Sequence, residues 1–232
     1  MELQNSLLRR QFLKNAIAGT VIAGFGGGLY VIASDSETRA ARAQRLPDGR
    51  PRLPPGQRVI SALKPMGGEQ GDPRPSAFSL KVYGEVENPI VLTFSELVSA
   101  ESVTQRSDVH CVTGWSLLDA QWRGVQLRTL LTRAGLKSEA RHVILEAAHG
   151  YTANIRLVDA MSFDSLIAWE HDDKALGKSH GAPVRAVIPR LYFWKSAKWI
   201  TGIRVTHRDE PGYWEVRGYN NRADPWKEER YA

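Results

Sequence analysis

The sequence predicts a mixed α+β domain built mainly from short strands. Three observations carry this. Apolar residues recur at strand period, first at Phe78, Leu80 and Val82 with Ser79, Lys81 and Tyr83 between them. Helical spacing is brief, its clearest stretch being Leu127, Leu130, Leu131 and Ala134 before Gly135. Strands and helices do not alternate regularly, which argues against a doubly wound parallel sheet. The 232 residues, 42% hydrophobic with seven tryptophans, suffice for one good-sized core.

In chain order, the first segment is Leu8-Arg9-Arg10-Gln11-Phe12-Leu13-Lys14, which looks like a twin-arginine export signal. An uncharged, glycine-rich stretch follows from Ala16 to Ala33. It is weakly hydrophobic, yet long enough to span a bilayer. Residues 1–33 are therefore expected to be a signal or an N-terminal anchor, and the protein to be periplasmic or otherwise exported. Residues 34–76 are polar and rich in proline, which predicts an extended arm with little regular structure. The remainder, 77–232, is expected to form the folded domain.

Within it, Asn88-Pro89 punctuates a second strand at Ile90-Val91-Leu92, and Thr93 or Ser95 caps a short helix through Val98. Val109 to Val112 reads as a strand end leading into Thr113-Gly114. Trp122-Arg123-Gly124-Val125 reads as a turn. Further strands are expected at Val143–Ala147, Tyr151–Leu157, Leu166–Glu170, Val184–Ile188 and Ile200–Thr206. The net charge is +6; Arg9, Arg10 and Lys14 against Glu2 leave +4 for the chain after residue 33. That excess is too small and too scattered for a nucleic-acid binder. It suits a single bound anion.

Two constellations carry chemistry. Cys111 is the only cysteine in the sequence. Exported proteins usually keep cysteines in pairs, so a lone thiol suggests a nucleophile, a metal ligand or a small buried hydrophobe. A nucleophile would need His110, His149 or His180 as base. A single cysteine excludes a zinc ribbon, a multi-thiolate iron–sulfur cluster and Cys-x-x-Cys-His haem attachment. The second constellation runs from His180 through Arg185 and Arg190 to Lys195-Ser196-Ala197-Lys198. Its cations, small residues and loop-forming prolines suit an anion such as a phosphate.

Taken together, His110-Cys-Val-Thr-Gly-Trp-Ser116, Trp122-Arg-Gly-Val125, His149-Gly-Tyr151, Gly181-Ala-Pro-Val-Arg185 and Leu191-Tyr-Phe-Trp-Lys-Ser-Ala-Lys-Trp199 resemble the sulfite-oxidase-fold family of molybdenum enzymes. The tail motifs Gly212–Tyr219 and Asp224-Pro-Trp226 fit as well. The resemblance covers roughly residues 76–232 and implies that family's β-rich fold. It implies molybdenum bound by the Cys111 thiolate and by a pyranopterin dithiolene, molybdopterin. It places the pterin contacts at Ala147, His180, Arg185, Ser196, Ala197 and Lys198. Where some relatives carry Asn, this chain has His180.

The activity implied is two-electron oxygen-atom transfer, with electrons exchanged through an external carrier such as a cytochrome or a membrane haem subunit. Sulfite oxidases of the family set arginines beside the metal cysteine. Here His110 and Val112 flank it, and Arg156 or Arg190 would have to fold into the pocket. This favours the branch that reduces S-oxides such as methionine sulfoxide, with a sulfite dehydrogenase as the alternative. A cysteine hydrolase using Cys111 and a histidine is the alternative of another class. His110 and Tyr192 are expected beside the reacting centre, with Trp115, His149 and Tyr151 as further walls. A monomer is expected, since the sequence leaves no room for the immunoglobulin-like dimerisation domain of larger members.

Overall fold

A computed structural model describes residues 28–232. The Arg9-Arg10 pair and most of the Ala16–Ala33 stretch lie outside the described residues. The chain divides into two compact units, one ending at Leu53 and one beginning at Pro54. In the first, helix α1 spans Gly28–Ala43, where an extended arm was expected beyond residue 33. The physical reason is local: no proline precedes Pro47, and Glu37 to Ala43 is rich in Glu, Arg and Ala, good helix formers. A turn follows, closed by the Arg45–Pro51 bridge. Among the described residues no helix is long and apolar enough to cross a membrane.

The second unit starts with β1 (Arg58–Ile60), then β2 (Ser79–Gly84) and β3 (Ile90–Thr93). Helix α2 (Phe94–Val98) opens on a capping box: the Thr93 side chain accepts from Glu96 N–H, and Glu96 accepts from Thr93 N–H. Strands β4 (Val103–His110) and β5 (Trp115–Gln126) follow. Helix α3 (Leu127–Ala134) ends at Gly135, whose φ of 71° is one that glycine adopts without strain. Then come β6 (His142–Ala147), β7 (Thr152–Arg156), the single turn α4 (Leu157–Ala160), β8 (Leu166–His171), β9 (Lys174–Ala175), β10 (Arg185–Val187) and β11 (Ile200–Thr206).

These strands form two mixed sheets. One runs β3-β2-β11-β6-β7, antiparallel apart from the parallel β2–β11 pair. In the other, the 12-residue β5 is the spine. It pairs with β4 along its length, with β1 at one end and with β8 at the other, while β8 also carries β9 and β10. Leu80, Val82, Val143, Leu145, Ile203 and Val205 pack with Leu127, Leu130 and Leu131 of α3 in one buried cluster. Full burial of each such leucine contributes roughly 1.5–3 kcal/mol. A second cluster surrounds the Cys111 turn and holds Trp115, Trp122, Val187, Tyr192 and Phe193.

The Trp122–Val125 run is strand, not turn. It belongs to β5, with a register shift between Arg123 and Gly124. Gly124 is there because a Cβ would lie 2.3 Å from the Ile167 carbonyl oxygen on β8. A glycine that permits close strand approach reads in sequence like a turn glycine.

Candidate functional site

Cys111 sits where β4 runs out and the chain reverses into β5. The reversal is closed by Cys111 N–H donating to Trp115 O at 2.8 Å and by Gly114 N–H donating to Cys111 O at 3.0 Å. The cysteine is buried, and its sulfur lies 3.2 Å from Thr113 Oγ1. Among the described residues, the hydrogen-bond contact shown for that sulfur is to Thr113, not to a histidine. His110 is instead turned to Ser116, its Nδ1 2.8 Å from Ser116 Oγ, and its ring meets Trp226 edge-on. A thiol–histidine dyad is therefore not assembled, which counts against the hydrolase alternative.

Tyr192 is fully buried in the cluster that contains Cys111. It stacks on Trp194, with ring centroids 5.3 Å apart. Burial raises its hydroxyl, and the Arg230 guanidinium, 5.2 Å from the ring centroid, opposes that. Arg230 also donates to the carbonyl of Val112, the residue after Cys111. This arginine comes from the tail, and sequence spacing gave no sign of it. Arg156 and Arg190, the two considered earlier, pair with Asp159 and Asp164 instead. Tyr219 is a further neighbour: burial, then Tyr231 and then Cys111 raise its hydroxyl.

The basic run separates into two kinds of cation. Lys195 is consumed by structure, with Nζ 2.5 Å from Glu215 Oε1 and further bonds to Asn154 and Asn221. Among the described residues, Arg185 and Lys198 have no carboxylate partner. Arg185 is buried and donates to the carbonyls of Ala186, His180 and Ser196, its guanidinium 4.4 Å from the Phe193 ring centroid. Burial pushes it down to about 9. Lys198 donates to the carbonyls of Met66, Gly67 and Ser179, and burial, then Arg185, push it down to about 8. His180 is lowered by burial and then by Arg185, His171 and Lys198. Cations gathered in a low-dielectric site without an anion are costly. The arrangement has the sign of charge that an anionic ligand would complete.

Ser196 and Ala197 are buried between these two cations. Ser196 Oγ accepts from Ile188 N–H, and Ala197 O accepts from Ala186 N–H, so the run is laced to β10 and the segment after it. Ala147 ends β6, where it pairs with Ile200. Tyr151 donates to Trp194 O at 2.5 Å. His149 is exposed and engages Gln70 O and Glu69; with a φ of 57° it is one of the strained non-glycine residues. Trp115 is buried against Phe193.

Residues 68–214 match the model of the oxidoreductase molybdopterin-binding domain. The chain belongs to this family. It is 41% identical over 185 residues to the uncharacterized oxidoreductase YuiH of Bacillus subtilis, covering 78% of this chain and 92% of that protein. It is 30% identical over 145 residues to a putative protein-methionine-sulfoxide reductase subunit of Azospira oryzae, covering 62% of this chain and 55% of that one. Among solved structures, the sulfane dehydrogenase SoxCD of Paracoccus pantotrophus shares the fold at a TM-score of 0.57 and 22% identity, over 68% of this chain and 46% of that one.

As a member of the family, the protein is a molybdopterin-dependent oxidoreductase. Its own residues suit that cofactor. Among the described residues, the buried side-chain polar atoms with no hydrogen-bond partner include Trp115 Nε1, Trp122 Nε1 and His171 Nε2. Two of them lie near Arg185: its guanidinium is 5.5 Å from the Trp122 ring centroid, and the His171 ring is 4.5 Å from that ring. Buried polar groups left open are uncommon without a ligand or water to satisfy them.

Proposed function

We propose that the protein is exported by the twin-arginine route and reduces S-oxide substrates such as methionine sulfoxide, free or protein-bound, with electrons from an external carrier. When bound, molybdopterin supplies molybdenum and two-electron oxygen-atom transfer. In this reading Cys111 is the protein's ligand to the metal. Arg185 and Lys198 hold the cofactor's phosphate, with Ala147, His180, Ser196 and Ala197 lining the pterin. The net reaction takes one sulfoxide, two electrons and two protons to a thioether and water.

The observation that carries the substrate class is the surround of Cys111. Val112 and Tyr192 share its buried cluster, Tyr219 packs against that cluster, Trp226 meets the adjacent His110 edge-on, and one arginine, Arg230, donates to the carbonyl of Val112. A single guanidinium suits the oxygen of a neutral S=O dipole, whereas a dianion such as sulfite demands more positive charge. Apolar rings suit the thioether carbons and sulfur. The likeness to a putative methionine-sulfoxide reductase subunit supports the same branch.

Parallel turnover of holoprotein with methionine sulfoxide and with sulfite tests the assignment. Reduction of the sulfoxide with a viologen donor is expected, and robust sulfite oxidation without it would overturn the reading. Cys111→Ser is expected to lose molybdenum; full retention of the metal would remove Cys111 as its ligand. Export is tested by replacing Arg9 and Arg10 with lysine, which is expected to leave the protein in the cytoplasm.

A further inference from the structure

One side chain from the Pro-rich segment reaches the Cys111 reversal directly and His110 through one intermediary. Gln57 is 1% exposed and immediately precedes β1. Arg58 N–H donates to Gly114 O at 3.0 Å, and Arg58 pairs in register with Trp115, which seats Gln57 against the Cys111 reversal. Its Nε2 donates to Cys111 O at 2.9 Å, and its Oε1 accepts from Ser116 Oγ at 3.2 Å. The Tyr192 hydroxyl lies close enough to the amide for Gln57 to favour its ionised form, though without a hydrogen bond of ordinary geometry.

The polarity of this chain is forced. A backbone carbonyl only accepts, so the amide must present its N–H to Cys111. Its oxygen then faces Ser116 and must be given the hydroxyl's single proton. Ser116 Oγ has only lone pairs left for His110, so Nδ1 of the ring carries the proton in that 2.8 Å contact. The carbonyl of Cys111 thus selects, through two side chains, the tautomer of the histidine beside it.

We propose that Gln57 is a positioning residue of the molybdenum site. It clamps the Cys111 reversal by its main-chain carbonyl and holds His110 in the Nδ1–H form through Ser116. The inference rests on Cys111 as the metal ligand and is independent of which sulfur compound is the substrate. Groups that orient a metal's ligands commonly change metal affinity or activity by about 10–100-fold when removed.

The test uses holoprotein in two states. Histidine-selective nitrogen NMR of the diamagnetic Mo(VI) form reads the His110 tautomer, and electron paramagnetic resonance of the Mo(V) form reads the metal. Gln57→Glu keeps an acceptor for Ser116 but loses the donor to Cys111; it is expected to preserve Nδ1–H and to shift the Mo(V) signal. Gln57→Met removes both contacts, so Ser116 turns to His110; it is expected to switch the ring to Nε2–H, to shift the Mo(V) signal and to release molybdenum roughly tenfold faster. If Gln57→Met does not accumulate, Ser116→Ala cuts the same chain and is expected to release the tautomer with the Cys111 carbonyl still clamped. Variants that lose only thermal stability, with tautomer and Mo(V) signal unchanged, would overturn the proposal. Should Cys111→Ser retain molybdenum, the ligand assignment fails, and the tautomer arm still reports on Gln57 alone.

Discussion

Lys195 Nζ lies 2.5 Å from Glu215 Oε1, and the two side chains are 1% and 2% exposed. Glu215 also accepts from Trp194 Nε1 at 2.8 Å, so the pair anchors the ring that stacks on Tyr192. Breaking such a pair from one side strands the other charge, at a cost of about 3–5 kcal/mol. Lys195→Met is therefore expected to lower the unfolding free energy by about that amount in chemical denaturation. The double variant Lys195→Met with Glu215→Gln is expected to recover most of it, since Gln still accepts from Trp194. Additive losses would contradict the pairing.

Gly124 meets the Ile167 carbonyl too closely for any side chain. Gly124→Val must displace β8 from β5, and β8 carries β10 with Arg185. A loss of about 3 kcal/mol or more is expected, the upper end for overpacking, together with weaker molybdenum retention. A thermal melt with metal analysis checks both. An unshifted melt would mean that the β5–β8 register is not as described.

Lys198 gives a pH signature in the cofactor-free protein. Its ammonium is pushed down to about 8 in the folded state, whereas the unfolded chain keeps the ordinary lysine value of 10.5. The unfolded state therefore binds more protons between these values, and stability rises with pH there. The lysine's destabilising charge is complete below about pH 8 and is relieved as pH climbs toward 10.5. Wild-type apoprotein is expected to gain stability relative to Lys198→Met across that window. With an anion bound beside the ammonium the gain is expected to vanish. Parallel melting curves of the two apoproteins would exclude it.

The capping box at Thr93 gives a smaller, local test. Thr93→Ala removes the acceptor for Glu96 N–H, and a loss of about 1 kcal/mol is expected. The site lies on α2, away from Cys111, so the metal content should not change. A change in both would show coupling through β2 and β3.

Much of this architecture is local and was legible. Strand period located β2, β6, β8 and β11, and the leucine spacing before Gly135 located α3, because each pattern repeats within a few residues. The family, the fold and the molybdopterin cofactor were readable from ordered short motifs. The Trp122–Val125 segment was misread because Gly124 answers to a strand brought to it by folding. Sequence likewise grouped Lys195 with Arg185 and Lys198, and only the buried Glu215 separates them.

The sequence by itself determined the family and its cofactor, through ordered short motifs that include one unpaired thiol and one basic run. Tertiary structure alone decided what stands around the thiol. Gln57 reaches Cys111 from 54 residues upstream, and Arg230 reaches Val112 from 118 residues downstream. Neither contact leaves a spacing signal, since side chains that meet across a fold are constrained by space and hydrogen-bond polarity, not by their separation along the chain.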